Sequence, residues 1–355
     1  MNLDNSIVEH NKSVSLYIEL TSGCNLRCPY CYNDSGNSTE HLSYSVLADQ
    51  IKSVAAIYDC RVSLSGGEPL LYPWLFDLLL FLTENNISAS IVSNGILVNS
   101  EFVEFLVNNH ILISHFQVSL DGPNESINAF TRGKGHFDPA MNTISRLKQY
   151  GIPVHVNCVI SGYNYKSIDD VIDLVIKYNV DLLNFSFVND LGRAKDSNNT
   201  GLCISGEVKK EVMKKISDIK LSTKSSIDIR CPELNDSYCP LLNTDSHFLS
   251  PKIDSKGFVY ACHVFEGSDY SIGSVYDQQL LTILNENYYA FAERVRVASR
   301  ERNSTCNHCL FSGLCNGICP ALYMMNTYDD NDNLDGLCNA RKSRLINMVV
   351  EEEGR

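Results

Sequence analysis

Cys24, Cys28 and Cys31 stand at Cx3Cx2C spacing within "ELTSGCNLRCPYCYNDS" (19–35). Thiolate is a soft ligand, and sets of cysteines select zinc, copper(I) or iron–sulfur clusters. A structural zinc wants four closed ligands, and a cubane cluster usually takes four cysteines as well. The next cysteine after this loop is Cys60. Three neighbouring thiols therefore leave two readings: a zinc site completed by His41 or Cys60, or a [4Fe-4S] cluster with one iron open to a substrate or cofactor. Eight more cysteines lie between 231 and 338: Cys231, Cys239, Cys262, the tight run Cys306-x2-Cys309-x5-Cys315-x3-Cys319, and Cys338. Eight thiolates suffice for two fully ligated cubanes; one or two structural zincs are the alternative. Cys60, Cys158 and Cys203 are left over as ordinary thiols, the first two near strands and the third in a loop.

The elements that position these residues follow from the hydrophobic pattern. β-rich runs at 14–20, 61–65, 87–93, 115–120, 153–160 and 180–188 alternate with amphipathic helical segments at 43–58, 73–86, 100–109, 139–151 and 167–179. Ser43 is a candidate N-cap, Pro73 falls in a first helical turn and Gly151 ends a helix. Six strands separated by helices imply a parallel sheet with helical crossovers, as an open doubly wound sheet or a partial barrel. In both, the loops after the strands form the functional face. The cysteine loop, "GGEP" (66–69), "SNG" (93–95) and "SLDG" (119–122) each follow a strand. Beyond 190 the pattern changes. "NDLGRAKDSNNTG" (189–201) reads as a polar loop, a helix follows around "GEVKKEVMKKISDI", and the chain is irregular and cysteine-rich from Cys231 onward. The expected organisation is a first domain over 1–200, a linker helix over 201–230, a cysteine-rich domain over 231–345 and an acidic tail over 346–355.

Composition bounds the function. The chain has 355 residues, is 44% hydrophobic and carries a formal charge of −13. That length buries a substantial core without disulfides, and the acidic balance argues against nucleic-acid binding. No apolar run approaches the roughly 20 residues of a membrane helix, and the N-terminus lacks signal-peptide character. A cytoplasmic protein without a membrane partner is expected. There, 14 cysteines point to metal sites and not to a disulfide framework.

The opening loop resembles the cluster loop of radical S-adenosylmethionine (SAM) enzymes in its spacing, its place after the first strand and the aromatic Tyr30 before the third cysteine. The resemblance implies a partial (β/α)6 TIM-like barrel and a [4Fe-4S] cluster on Cys24, Cys28 and Cys31. Its open iron would be chelated by S-adenosyl-L-methionine, cleaved to a 5′-deoxyadenosyl radical. It further implies that Gly66, Gly67 and Glu68 hold the methionine amino group, that Ser93, Asn94 and Ser119 contact ribose and carboxylate, and that Arg132 neutralises the carboxylate. The C-terminal cysteines are similar to a SPASM domain, a smaller iron–sulfur extension of peptide-modifying members, although the gap from Cys239 to Gly257 is longer than its usual pattern. By that resemblance Cys231, Cys239, Cys262 and Cys319 hold one auxiliary [4Fe-4S] cluster, and Cys306, Cys309, Cys315 and Cys338 a second, making three clusters in all.

The implied activity is that of a radical SAM oxidoreductase maturing a ribosomal precursor peptide, with an intramolecular carbon–carbon or thioether crosslink as the first expectation. A radical dehydrogenase of a protein side chain or small molecule is the second, and a non-catalytic metal-binding scaffold the third. Sulfatase maturases carry an aspartate base after the Gly-x4-Cys cysteine; this chain has His263 there, so no catalytic base is assigned. About thirteen residues precede the first strand, so a separate peptide-recognition protein or direct capture of the peptide is expected, with a flavodoxin or ferredoxin as reductant.

Overall fold

Alternation within each strand sorts side chains onto two faces. The computed structural model describes residues 12–196, 201–221, 227–234, 239–242, 247–301, 310 and 319–325. Strands β1 (Ser13–Glu19), β2 (Asp59–Ser65), β3 (Ser88–Ser93), β4 (Ile113–Ser119), β5 (Val154–Ile160) and β6 (Leu182–Phe187) pair in parallel and in chain order. One set of alternate residues, including Leu16, Ile18, Leu64, Ile91, Phe116, Val118, Val156 and Phe185, is fully buried in a single core. Each such side chain contributes about 1.5–3 kcal/mol on leaving water. The other set, including Ser63, Ser90, Gln117, Asn157 and Asn184, lines a cavity.

The connections explain why one face is apolar and the other open. Helices α1 (Tyr44–Ala55), α2 (Leu75–Glu84), α3 (Ser100–Asn108), α4 (Glu125–Arg132), α5 (Phe137–Gln149) and α6 (Ile168–Lys177) lie between successive strands. Right-handed crossovers between strands that never reverse order place every helix on the same side. A doubly wound sheet needs a reversal of strand order, and none occurs among β1 to β6, so these strands form the partial (β/α)6 barrel. α1 shows the fit of sequence to face: Leu47, Ile51 and Val54 recur at helical spacing and are among its buried residues.

The sheet runs on at both edges. Beyond β6, helix α7 (Gly206–Leu221) leads to β7 (Asp228–Arg230), which pairs with β6 in parallel. On the far side of β1 lie β8 (Phe248–Leu249) and β9 (Lys252–Ile253), both parallel to it, then β10 (Phe258–Tyr260) and β11 (Ser271–Ser274), antiparallel. The cysteine-rich half is thus hydrogen-bonded to the first barrel strand.

Three local features differ from the sequence reading. Ser43 occupies the N-cap position of α1, but its side chain makes no capping bond and meets Ser45 Oγ at 3.1 Å. Helix α2 starts at Leu75, so Pro73, which lacks an N–H, stands in the turn before it. Helix α4 is new: Asn124 caps it by accepting from Ile127 N–H at 3.1 Å.

Candidate active site

The cysteine loop leaves the end of β1 and is tied to itself and to the loop after β2. Cys24 N–H donates to Gly36 O at 2.7 Å, and Gly36 N–H to Ser22 O at 3.0 Å. From the β2 loop, Gly67 N–H donates to Thr21 O at 2.7 Å and Glu68 N–H to Gly23 O at 2.8 Å. These contacts demand glycine. A Cβ on Gly66, whose φ is +123°, would lie 2.5 Å from Thr21 O, and one on Gly67 would lie 2.0 Å from Gly23 O. The glycine pair seats the cysteine loop, and both glycines also line the cavity beside it.

That cavity, of ≈ 510 Å³, brings together most of the residues singled out from sequence. Cys24, Cys28, Cys31, Tyr30, Gly66, Gly67, Ser93, Asn94, Ser119 and Arg132 all line it. Cys28 is buried and the other two thiols are half-buried. Burial pushes the Cys24 thiol up to about 11. It raises that of Cys28 too, opposed by Arg132, whose Nη1 stands 3.9 Å from Cys28 Sγ. In the metal-free chain both are neutral thiols, so a metal would displace protons on binding. His41 and Cys60, the candidate fourth ligands of a zinc site, do not line this cavity: His41 packs edge-on against Tyr72 and Trp74, and Cys60 is buried in β2. Among the described residues no three His, Cys, Asp or Glu side chains are close enough to hold a single metal ion. The donor set fits a cubane: soft thiols of one loop, opening into one cavity, with a guanidinium beside one of them.

Glu68 faces elsewhere. Its carboxylate is fully buried and accepts from Ser93 Oγ at 2.8 Å, Asn94 N–H at 2.9 Å and Leu70 N–H at 3.2 Å. It therefore ties the β2 loop to the β3 loop, and burial raises its pKa to about 7 against those three donors. Asn94 in turn donates through Nδ2 to Asn25 Oδ1 at 2.7 Å, which links the β3 loop to the cysteine loop. The Asn94 carbonyl meets Nε2 of His136 at 2.9 Å, and Asn128 Nδ2 meets His136 Nδ1 at 2.9 Å. Burial, then Arg132, lowers the pKa of His136 to about 4, so it is neutral and Nε2 carries its hydrogen.

Arg132 is the most constrained of the predicted residues. Its Nε and Nη2 donate to Asp121 Oδ2 at 2.8 Å and Oδ1 at 3.2 Å, a forked pair with both partners buried. The guanidinium stands 5.3 Å from the Tyr30 ring centre. Burial disfavours the cation, but Asp121, Tyr30 and Cys28 offset this and hold its pKa well above the ordinary value. Asp121 also accepts from the Tyr30 hydroxyl, from Thr131 Oγ1 at 2.8 Å and from Val159 N–H at 3.0 Å. The sequence reading takes Ser119 from "SLDG" and assigns no role to its aspartate, Asp121. The available signal was a carboxylate on the same loop edge as Arg132.

The strand face of the cavity carries neutral polar side chains, while Val92, Val159, Phe187, Val188, Leu191 and Val264 give the rest of its lining an apolar character. Ser90 Oγ donates to Ser63 Oγ at 2.9 Å and Asn184 Nδ2 to Asn157 Oδ1 at 2.6 Å. No carboxylate is among the described residues that line it. Its two arginines are paired, Arg132 with Asp121 and Arg193 with Asp34. His115 and His263 also line it, and burial lowers both to about 4.

His263 joins this cavity to the C-terminal cysteines. Its ring lies 5.6 Å from that of Tyr17, and Cys262 Sγ is 3.8 Å from its Nδ1. Cys262 raises the thiol pKa of Cys239 and Cys319, which places the three within electrostatic reach of one another, although burial is the larger cause in both. Cys231 is buried at the end of β7, with its thiol 3.5 Å from Glu233 Oε2. Cys306, Cys309, Cys315 and Cys338 lie outside the described residues. Cys158 is buried in β5 and Cys203 is exposed.

Comparison with known proteins agrees with this layout. Residues 18–175 match the radical SAM superfamily and residues 247–310 match SPASM, an iron–sulfur cluster-binding domain. Sporulation killing factor maturation protein SkfB of Bacillus subtilis is 31% identical over 161 residues, 45% of this chain and 39% of that protein. The chain thus spans about two fifths of SkfB. The antilisterial bacteriocin subtilosin biosynthesis protein AlbA, also of B. subtilis, is 24% identical over 94% of this chain and 72% of its own length. The structure of Streptococcus suis SuiB bound to precursor peptide SuiA superposes with a TM-score of 0.71 at 18% identity, covering 91% of this chain and 76% of that one. At that identity the likeness is one of fold.

Proposed function

From a chain that belongs to the radical SAM superfamily and carries a SPASM domain, we propose a maturase that acts on a ribosomal precursor peptide and forms an intramolecular crosslink in it. Cys24, Cys28 and Cys31 would hold a [4Fe-4S] cluster whose open iron takes SAM. Cluster and SAM together would supply radical hydrogen-abstraction chemistry, with the required electron from an external reductant. Cys231, Cys239, Cys262 and Cys319 would hold a second cluster, and Cys306, Cys309, Cys315 and Cys338 a third.

The observation that carries the reading is the shared cavity. The three thiols open into the same space as Gln117, Asn157, Asn184 and Ser186. Amides and hydroxyls satisfy the N–H and C=O groups of an inserted peptide, whose burial without partners would be costly. A polyanionic small molecule finds no unengaged arginine there, since Arg132 is forked onto Asp121 and the Arg193 guanidinium is held on the Cys28 and Ser35 carbonyls. Arg132, locked to Asp121 and stacked near Tyr30, keeps a fixed positive charge beside Cys28. Glu68, Ser93 and Asn94 keep the loops after β2 and β3 at a fixed spacing around the cysteine loop. Among the described residues no helix is long and apolar enough to cross a membrane. A flavodoxin or ferredoxin would serve as reductant, and a separate recognition protein would help deliver the peptide.

The test is anaerobic reconstitution, with iron, sulfide and zinc measured on the sample that is assayed with SAM, reductant and candidate precursor peptides. About twelve iron and twelve sulfide per chain, release of 5′-deoxyadenosine, and a peptide lighter by two hydrogens that resists fragmentation between two residues would support the crosslinking maturase. The same mass loss with ordinary fragmentation would turn the reading to dehydrogenation. Zinc without sulfide, and no SAM cleavage, would overturn it.

A further inference from the structure

The segment after β6 reads in the sequence as a polar loop, yet in the structure it grips the cysteine loop. Arg193 N–H donates to Cys31 O at 3.0 Å, and its Nε donates to Cys28 O at 3.0 Å. Its Nη1 donates to Ser35 O at 2.8 Å and pairs with Asp34 Oδ1 at 2.7 Å. One residue thus binds three carbonyls spread from Cys28 to Ser35. The Asp34 arm is solvent-exposed and contributes little; the carbonyl contacts are part-buried, and those of the guanidinium are charge-assisted. Gly192 makes the approach possible. Its φ is +53°, and a Cβ there would lie 2.3 Å from both Cys31 O and Tyr32 O. The Arg193 side chain lines the same cavity as the three thiols.

We propose that Gly192 and Arg193 form a latch that positions Cys28 and Cys31, and that the Arg193 guanidinium is a fixed cation that raises the reduction potential of a cluster held in the loop. The first part concerns the chain alone; the second rests on the cluster assigned under the proposed function. Arg193 is a positioning residue, acting through the loop backbone. A planar fork is required for the carbonyl contacts, and a lysine supplies the charge without the fork.

Hydrogen exchange of the metal-free full-length chain tests the latch. Arg193→Gln and Arg193→Lys should each speed exchange of amides in 24–36 by about tenfold or more, the equivalent of one charge-assisted hydrogen bond, with β3 to β5 unchanged. Gly192→Ala should do the same and serves as the harsher variant. Unchanged exchange in 24–36 for both Arg193 variants overturns the latch. A redox titration of the reconstituted protein, followed by electron paramagnetic resonance, tests the charge. Arg193→Gln should lower the potential of the loop cluster, and Arg193→Lys should leave it near that of the parent. Equal potentials in Arg193→Gln and parent overturn the charge role. A parent that takes up no iron at the loop overturns the cluster reading, while the exchange result still decides the latch.

Discussion

The two cysteine-bearing regions are held in different ways. The loop with Cys24, Cys28 and Cys31 is framed on every side by protein: Thr21 and Gly23 receive N–H groups from the β2 loop, Asn25 meets Asn94, and Arg193 binds the carbonyls of Cys28 and Cys31. The described C-terminal thiols come from separate segments, Cys231 after β7, Cys239 in a short turn, Cys262 after β10 and Cys319 before a short helix. Among the described residues Cys239, Cys262 and Cys319 do not close on a single metal position, and the Cys231 thiol lies 3.5 Å from Glu233 Oε2. A site framed by its own backbone exists before metal arrives, whereas thiols gathered from distant segments need the metal to gather them. The first region is therefore read as a preformed docking surface and the second as a metal-dependent fold.

The largest expected effect comes from removing one ligand in each region. Cys28→Ala should abolish SAM cleavage and remove about four of twelve iron, with the melting temperature of the metal-free chain unchanged. Cys262→Ala should remove a comparable share of iron and also lower the melting temperature of the reconstituted protein. Equal melting behaviour of the two reconstituted variants would break the comparison. Next comes the frame itself. Asp121→Ala leaves Arg132 charged and buried without its carboxylate, and losing one partner of a buried pair costs about 3–5 kcal/mol. Urea unfolding of the metal-free chain should show a loss of that size; a loss under about 1 kcal/mol would mean the pair contributes no more than a surface ion pair does.

Two buried groups in the frame oppose each other with pH. Glu68 stands at about 7 in the folded chain against 4.5 when free. Between those values the folded state binds more protons, so its share of stability is present below about 4.5 and is lost as pH rises through 7. His136 stands at about 4 against 6.5. Between those values the unfolded state binds more protons, so stability rises with pH and is lost as pH falls through 4. Each slope reaches about 1.4 kcal/mol per pH unit at most. Relative to the parent, Glu68→Gln should tilt the stability of the metal-free chain upward with pH between 5 and 6, and His136→Gln should tilt it downward. Urea midpoints across that range check both signs, and tilts of the same sign would refute the assignment of one group.

The contrast also explains what could be read without coordinates. Strands and helices of the barrel were legible because their apolar residues repeat at two clean periods, as in Val14, Leu16, Ile18 and in Leu47, Ile51, Val54. Motifs at strand ends were legible for the same reason, since Gly66, Ser93 and Ser119 sit where each run stops. The polar strand face was not: Gln117, Asn157 and Asn184 stand inside β-rich runs, and only the assembled sheet shows that their face lines a cavity. Arg193 escaped because its partners, Cys28 and Ser35, are far along the chain, whereas the partner of Asp121, Arg132, is only 11 residues away and was there to be read. In the C-terminal half, spacing reports how many thiols there are; where they meet depends on what they bind.

The smallest effect tests how much slack the frame has. Helix α4 is short and polar, and its start depends on Asn124, which accepts from Ile127 N–H. The far end of the same helix carries Thr131 and Arg132 onto Asp121. Asn124→Ala should cost about 1 kcal/mol, the usual value of an N-cap, read from the urea midpoint of the metal-free chain. Iron bound at the cysteine loop should not change, because the forked pair to Asp121 and the Gly66–Gly67 and Arg193 contacts hold the loop independently of the first turn of α4. If so mild a loss strips iron from the loop, the frame has no redundancy, and the cysteine loop is as dependent on metal for its shape as the C-terminal thiols are.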